Sequence, residues 1–262
     1  MTKPTRLYDA YIFDLDGTVY LGERLLPTAG ETITRLRQLG KRTLFLSNNP
    51  TQTRTDYAQK LTDLGLPTPP EDVINSSLVM VNYLQQHYPQ ARPFVIGESS
   101  LCNELEQAGF QLAHTAAETT IVIASFDRTF TYHKLQVAFD AIRAGAHFVA
   151  TNADRYCPVP GGGEPDAAAI IAAIEACTSV PIHAVVGKPS SYMAQTILQL
   201  VGLPAANCLM TGDRLETDVQ MGLQAGMSAA LTLTGATTAA DAAQSAVRPT
   251  YILHQLAELL PN

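Results

Sequence analysis

At 262 residues the chain is long for one domain and short for two large ones, a length that suits a core carrying a smaller inserted module. A 46% hydrophobic content is ample for a packed interior, and a net charge of −7 without any Lys/Arg run argues against nucleic acid or an anionic membrane as the main partner. No stretch approaches bilayer-crossing length and no apolar run of signal-peptide length precedes the first strand, so a soluble cytoplasmic protein is the expectation. Cys102, Cys157, Cys177 and Cys208 lack CxxC spacing, which argues against structural zinc or a disulfide frame.

The apolar run 10–13 reads as a buried strand, and Gly17 allows the chain to leave it sharply. Between them stand Asp14-Leu15-Asp16. Side chains alternate along a strand, so Asp14 and Asp16 point the same way, and two like charges that close call for a cation or a shared proton. They would sit at the carboxyl end of a strand, where open α/β sheets bind ligands, unless the segment is an ordinary solvated turn, for which Asp and Gly are common residues. Residues 25–39 place Ile33, Leu36 and Leu39 on one helical face ahead of Gly40. A second strand, 43–46, ends in Ser47-Asn48-Asn49-Pro50, and helical periodicity resumes over 54–64 until Gly65 stops it. This βαβα alternation predicts a doubly wound, Rossmann-like parallel sheet.

From near Ser76 to near Ala184, about 110 residues carry elements of their own and read as an inserted α/β lid. Strands are expected at 94–97, 120–124 and 147–150, with helices at 134–144 and 166–177. The Gly-rich segment 160–165 is a predicted loop; it lacks both the Lys-Ser/Thr of a P-loop and the Rossmann glycine spacing, so it reads as substrate-facing or flexible. The first βα series then resumes, with a helix at 190–201, a strand at 208–211, a helix at 218–225 and strands at 229–233 and 251–253. The expected organisation is a catalytic core of 1–76 and 185–262 around an inserted module of 77–184.

Three further segments carry chemistry. Ser47 and Asn48 follow a strand, where a hydroxyl, an amide and backbone N–H groups hold phosphate oxygens or cap a helix. Lys188, in Val186-Gly187-Lys188-Pro189, is either a neutralising cation for an anionic nucleophile and a phosphate or a surface lysine ahead of a proline-started helix. Gly212-Asp213-Arg214-Leu215-Glu216-Thr217-Asp218 follows the late strand; Asp213 is placed as a metal ligand, and Asp218 to orient Lys188 or hold a metal-bound water, unless the run is an acidic helix start. Each segment falls after a predicted strand or at a helix start, so one pocket could collect them all. Hard oxygen donors of this kind suit Mg²⁺, and the chemistry needing the whole set is phosphoryl transfer through an aspartate.

Asp14-Leu15-Asp16-Gly17-Thr18, Ser47, Lys188 and Gly212-Asp213 through Asp218 resemble, in order, the four motifs of the haloacid dehalogenase-like (HAD) superfamily. The wording of 45–49, Thr151-Asn152, 186–189 and 212–218 is most similar to subfamily IIA, whose members include NagD-type nucleotide, 4-nitrophenyl and phosphoglycolate phosphatases. About 30 residues separate the first two motifs and about 140 the second and third, which is the C2 cap arrangement.

The resemblance implies a phosphatase for a small phosphorylated metabolite. Asp14 would be the nucleophile, Asp16 the acid and base, Lys188 the charge partner, and Ser47 and Asn48 the holders of the transferring oxygens. Mg²⁺ would be held by the Asp14 and Asp213 carboxylates and the Asp16 carbonyl, with Asp218 outside them or acting through water. Thr18 would support the turn. Asp154 and Arg155, with Tyr156 and the loop 161–164 nearby, are the substrate-recognition candidates in the cap, through which family members commonly dimerise. Where the family has Pro-Gly-x-Gly this chain has Pro165-Asp166-Ala167-Ala168, and Asp166 stands where it would cap a helix. A phosphotransferase or mutase with the same nucleophile, and a non-enzymatic phospho-receiver module, are the alternatives.

Overall fold

Strand β1 (Ala10–Asp14) is buried at every position, as an unbroken apolar run predicts for a central parallel strand. The computed structural model describes residues 2–159 and 161–261, and the chain divides into two units. One runs through Ser47, resumes over Arg54–Ile74 and again from Lys188; the other takes Asn48–Thr53 and Asn75–Gly187. Among the described residues no helix is long and apolar enough to cross a membrane.

In the first unit, β2 (Tyr20–Leu21) and β3 (Arg24–Leu25) form a small antiparallel hairpin after the Asp14-Leu15-Asp16 turn. Helix α1 (Ala29–Gln38) therefore begins four residues later than the apolar spacing predicts: residue 25 is spent in the hairpin, and Thr28 adopts a left-handed φ of 66° ahead of the first helical turn. It buries Ile33 and Leu36. Strand β4 (Arg42–Ser47) pairs in parallel with β1, α2 (Arg54–Asp63) buries Tyr57, Ala58 and Leu61, and β5 (Val73–Asn75) follows.

The second unit has its own core. Its elements are α3 (Ser76–His87), β6 (Pro93–Ile96), α4 (Ser99–Gln107), β7 (Ile121–Ala124), α5 (Tyr132–Arg143), β8 (His147–Ala150), β9 (Tyr156–Val159), β10 (Gly162–Pro165), α6 (Ala167–Thr178) and β11 (Ala184–Val185). A four-stranded sheet in the order β11-β8-β7-β6 packs Ile96, Val122 and Phe148 against Ile170 and Ile174 of α6. The expected loop is corrected in part. Gly162–Pro165 pairs antiparallel with β9, so this stretch is one arm of a hairpin; Pro160, the first residue of that expected loop, lies outside the described residues.

The chain returns to the first unit with α7 (Ser191–Val201), β12 (Cys208–Gly212), a π-helical turn over Leu215–Val219, α8 (Gln220–Gln224), β13 (Ser228–Thr232), α9 (Ala239–Gln244) and β14 (Tyr251–Leu253). The helix expected at 218–225 is thus split, its first residues lying in the π turn. The sheet order β14-β13-β12-β1-β4-β5 winds outward in both directions from β1 and β12. That pair is the topological switch point, where doubly wound sheets open a crevice at their carboxyl ends.

Candidate active site

Asp14 ends β1, and parallel pairing of Phe13 with Thr211 brings the end of β12 alongside it. Asp213 leaves β12 immediately afterwards, and the π turn carries Asp218 back toward the same point. One carboxylate oxygen from each of Asp14, Asp213 and Asp218 lies within 4.8 Å of the others. Lys188 Nζ donates to Asp14 Oδ1 at 2.5 Å and to Asp218 Oδ1 at 2.7 Å. All four side chains are buried. The Arg214 backbone N–H donates to Asp218 Oδ2 at 3.2 Å, and the Ala236 N–H to Asp213 Oδ2 at 2.6 Å.

Two glycines make room for Asp213. A Cβ on Gly235 would overlap its carboxylate, and one on Gly17 would approach Asp213 Oδ2 to 2.5 Å. Gly17 also has a φ of +84°, which side-chain-bearing residues rarely adopt, so both conformation and space fix that position.

Burial dominates the electrostatics. Desolvation pushes the Asp14 carboxyl well up, Lys188 pulls it down, and the Asp218 and Asp213 charges push it up again. Asp213 is raised to about 6 by desolvation and then by the Asp218 charge. Lys188 moves the other way from a buried lysine on its own: burial disfavours its charge, but Asp14 and Asp218 outweigh that and hold it above the ordinary range. One ammonium thus faces three carboxylates, and the cluster has negative charge to spare.

That surplus fits a divalent cation. Asp14 Oδ2 and Asp213 Oδ1 take no hydrogen bond among the described residues, so each acid keeps one oxygen for another partner, whereas both Asp218 oxygens accept from donors. An all-oxygen set with few protein ligands matches Mg²⁺, which retains several waters.

Asp16 is exposed. The protein atoms around its carboxyl still raise its pKa by partial desolvation, while Lys60 and Lys188 draw it down, and the Tyr20 hydroxyl interacts with it. A single β-bridge joins Asp16 to Tyr20, and Lys60 Nζ lies 4.3 Å from the centre of the Tyr20 ring. Ser47 is buried at the end of β4 and donates from Oγ to the Tyr57 hydroxyl at 3.1 Å. Thr18 is fully buried in the turn, its N–H bonded to the Leu15 carbonyl at 3.2 Å.

Asn48, Asp154 and Arg155 belong to the second unit. There Asn48 Nδ2 donates to Asp154 Oδ2 at 3.0 Å, and Asn152 Nδ2 donates to the same oxygen at 3.2 Å and to Asp166 Oδ1 at 3.1 Å. Asp166 is the N-cap of α6, its Oδ1 accepting from the Ala167 N–H at 2.6 Å. Arg155 is exposed. Tyr20, Tyr57 and Lys60 escaped the sequence reading; the only signal for the last two was their three-residue spacing, which puts them on one face of the predicted helix 54–64.

Residues 11–111 match the family described as haloacid dehalogenase-like hydrolase, and residues 185–259 match a second HAD-hydrolase-like family. The chain is 38% identical over 248 residues to the sugar phosphatase AraL of Bacillus subtilis, covering 95% of this chain and 90% of that protein. The crystal structure of a 4-nitrophenylphosphatase from Thermotoga maritima is similar with a TM-score of 0.92 at 33% identity, over 97% of this chain and 98% of the other. A glycerol phosphate phosphatase from Mycobacterium tuberculosis, solved in complex with magnesium, is similar with a TM-score of 0.89 at 31% identity, over 96% of this chain and 77% of the other.

Proposed function

The chain belongs to the haloacid dehalogenase-like hydrolases, subfamily IIA, and is a phosphoric monoester hydrolase acting on small phosphorylated substrates; we propose that it does so with Mg²⁺ and through a phosphorylated Asp14. The observation that carries this reading is the buried constellation of Asp14, Lys188, Asp213 and Asp218.

Asp14 attacks phosphorus with a carboxylate oxygen, and the bond to the leaving alcohol breaks as the acyl phosphate forms. Asp16 protonates the departing alkoxide, then takes a proton from the water that attacks the acyl phosphate and returns Asp14 to its free form. Lys188 offsets the repulsion between the Asp14 carboxylate and the incoming phosphoryl group. Ser47 and Asn48 fix the phosphoryl oxygens, so most of the rate comes from positioning and fixed charge. The Asp14 and Asp213 carboxylates, with the Asp16 carbonyl, would hold Mg²⁺, which when bound supplies positive charge to the phosphoryl oxygens.

For substrate recognition we assign Asp154 and Arg155, on the segment between β8 and β9. Sugar phosphates are the first class to test, since a 38% identical relative is a sugar phosphatase; nucleoside monophosphates and phosphoglycolate follow. Phosphate release across that panel, with and without Mg²⁺, tests the reading. Turnover of at least one class that needs Mg²⁺ and vanishes in Asp14→Asn is expected, and wild-type turnover by Asp14→Asn would overturn it. Phosphorylated acceptor formed in excess of free phosphate would favour a phosphotransferase instead.

A further inference from the structure

Tyr57 has a hydroxyl that its packing does not require. Its ring sits in the apolar cluster with Phe13, Phe45 and Leu61 and is 2% exposed, an environment a phenylalanine would fill equally well. The hydroxyl instead receives the Ser47 hydroxyl at 3.1 Å, within a site from which solvent is largely excluded. Ser47 lies one residue beyond Leu46, the β4 partner of Asp14, and so stands at the same sheet end as the nucleophile.

We infer that Tyr57 is a positioning residue for phosphoryl binding: it holds Ser47 Oγ in place and exchanges donor and acceptor roles with it when a phosphoryl group arrives. This rests on the reading of Ser47 as a phosphate-binding residue. A serine hydroxyl has one proton and two lone pairs and rotates among three wells. Once the Ser47 proton turns to a phosphoryl oxygen, a Ser47 lone pair accepts from the Tyr57 O–H. The pair reverses polarity by moving hydrogens only, and the charged acceptor at its far end strengthens both bonds. The rigid aromatic body of Tyr57 keeps the oxygen–oxygen line fixed during the exchange.

A double-mutant cycle tests the inference, with Tyr57→Phe, Ser47→Ala and the pair compared for KM, kcat and the inhibition constant of inorganic phosphate. Tyr57→Phe should raise KM and the phosphate inhibition constant about fivefold, the loss of one hydrogen bond's worth of binding, with a smaller change in kcat. In the Ser47→Ala background the same substitution should change neither, because its effect runs through Ser47. Equal losses in both backgrounds, or wild-type constants in Tyr57→Phe, would overturn the role of Tyr57. If Ser47→Ala alone binds phosphate as tightly as wild type, the phosphate-binding reading of Ser47 fails, and the inference with it.

Discussion

Lys188 and Asp218 are joined by a buried 2.7 Å ion pair, and the same ammonium bonds Asp14. Removing one member of a buried pair leaves the other uncompensated and typically costs about 3–5 kcal/mol, part of which the acids recover by taking up protons. Lys188→Met should therefore lose nearly all activity and be least stable at alkaline pH. Its deficit against wild type should shrink as pH falls from 8 to 5, because folded-state carboxyls with raised pKa hold protons that the unfolded chain releases. Thermal unfolding of both proteins across that range checks this; a deficit that does not vary with pH would remove the charge argument.

Gly235 constrains Asp213 by space alone, since its φ is not in the left-handed region. A methyl group there must displace the Asp213 carboxylate, which also loses its geometry with the Ala236 N–H. Gly235→Ala should raise the Mg²⁺ concentration for half-maximal activity by about tenfold, the usual scale for disturbing a ligand's supporting shell, and leave KM for substrate nearly unchanged at saturating Mg²⁺. Activation curves against Mg²⁺ measure it, and an unchanged curve would show that the crowding is harmless.

The parts of the site legible in the sequence are those where chemistry and secondary structure coincide: acids and a lysine just past apolar strands at 14, 188 and 213. The alternation of β1, β4 and β12 with helices likewise declared a parallel sheet. What stayed hidden has physical reasons. Helix α3 buries residues around most of its circumference, from Ser76 and Ser77 to Met80 and Leu84, and so shows no single apolar stripe. The β9–β10 hairpin is rich in Gly and Pro, which read as loop, yet its pairing depends on partners in space. Tyr20 and Tyr57 look like core residues because their rings are core; only the position of each hydroxyl, which tertiary structure decides, sets them apart.

Asp213 gives the proposed metal site a pH dependence with a definite sign. Its carboxyl is raised to about 6 in the folded protein, against about 3.9 in an unfolded chain. Between those values the metal-free fold keeps a proton the unfolded chain has lost, so its stability falls as pH rises from about 4 to about 6 and then levels off. Mg²⁺ needs the deprotonated acid, so its affinity should drop about tenfold per pH unit below about 6. Melting temperatures with and without Mg²⁺ should differ clearly at pH 7.5 and hardly at pH 5. The same increment at both would contradict a ligand that titrates near 6.

Tyr20 addresses the proton that leaves with the product. Burial, then the Asp16 charge, drives the Tyr20 pKa far up, so its hydroxyl keeps its proton beside the Asp16 carboxyl. The Lys60 ammonium lies over the ring and forms a 3.3 Å ion pair with Glu23. In Tyr20→Phe the ring and the cation contact persist while the hydroxyl beside Asp16 is lost. In the proposed mechanism an alkyl phosphate relies on Asp16 to protonate its leaving oxygen, whereas 4-nitrophenolate departs without help. Because kcat/KM covers only the steps through the proposed phosphorylation of Asp14, Tyr20→Phe should lower it about tenfold or more for a sugar phosphate and much less for 4-nitrophenyl phosphate. Equal losses on the two substrates would mean that Tyr20 supports the fold of the turn rather than the acid.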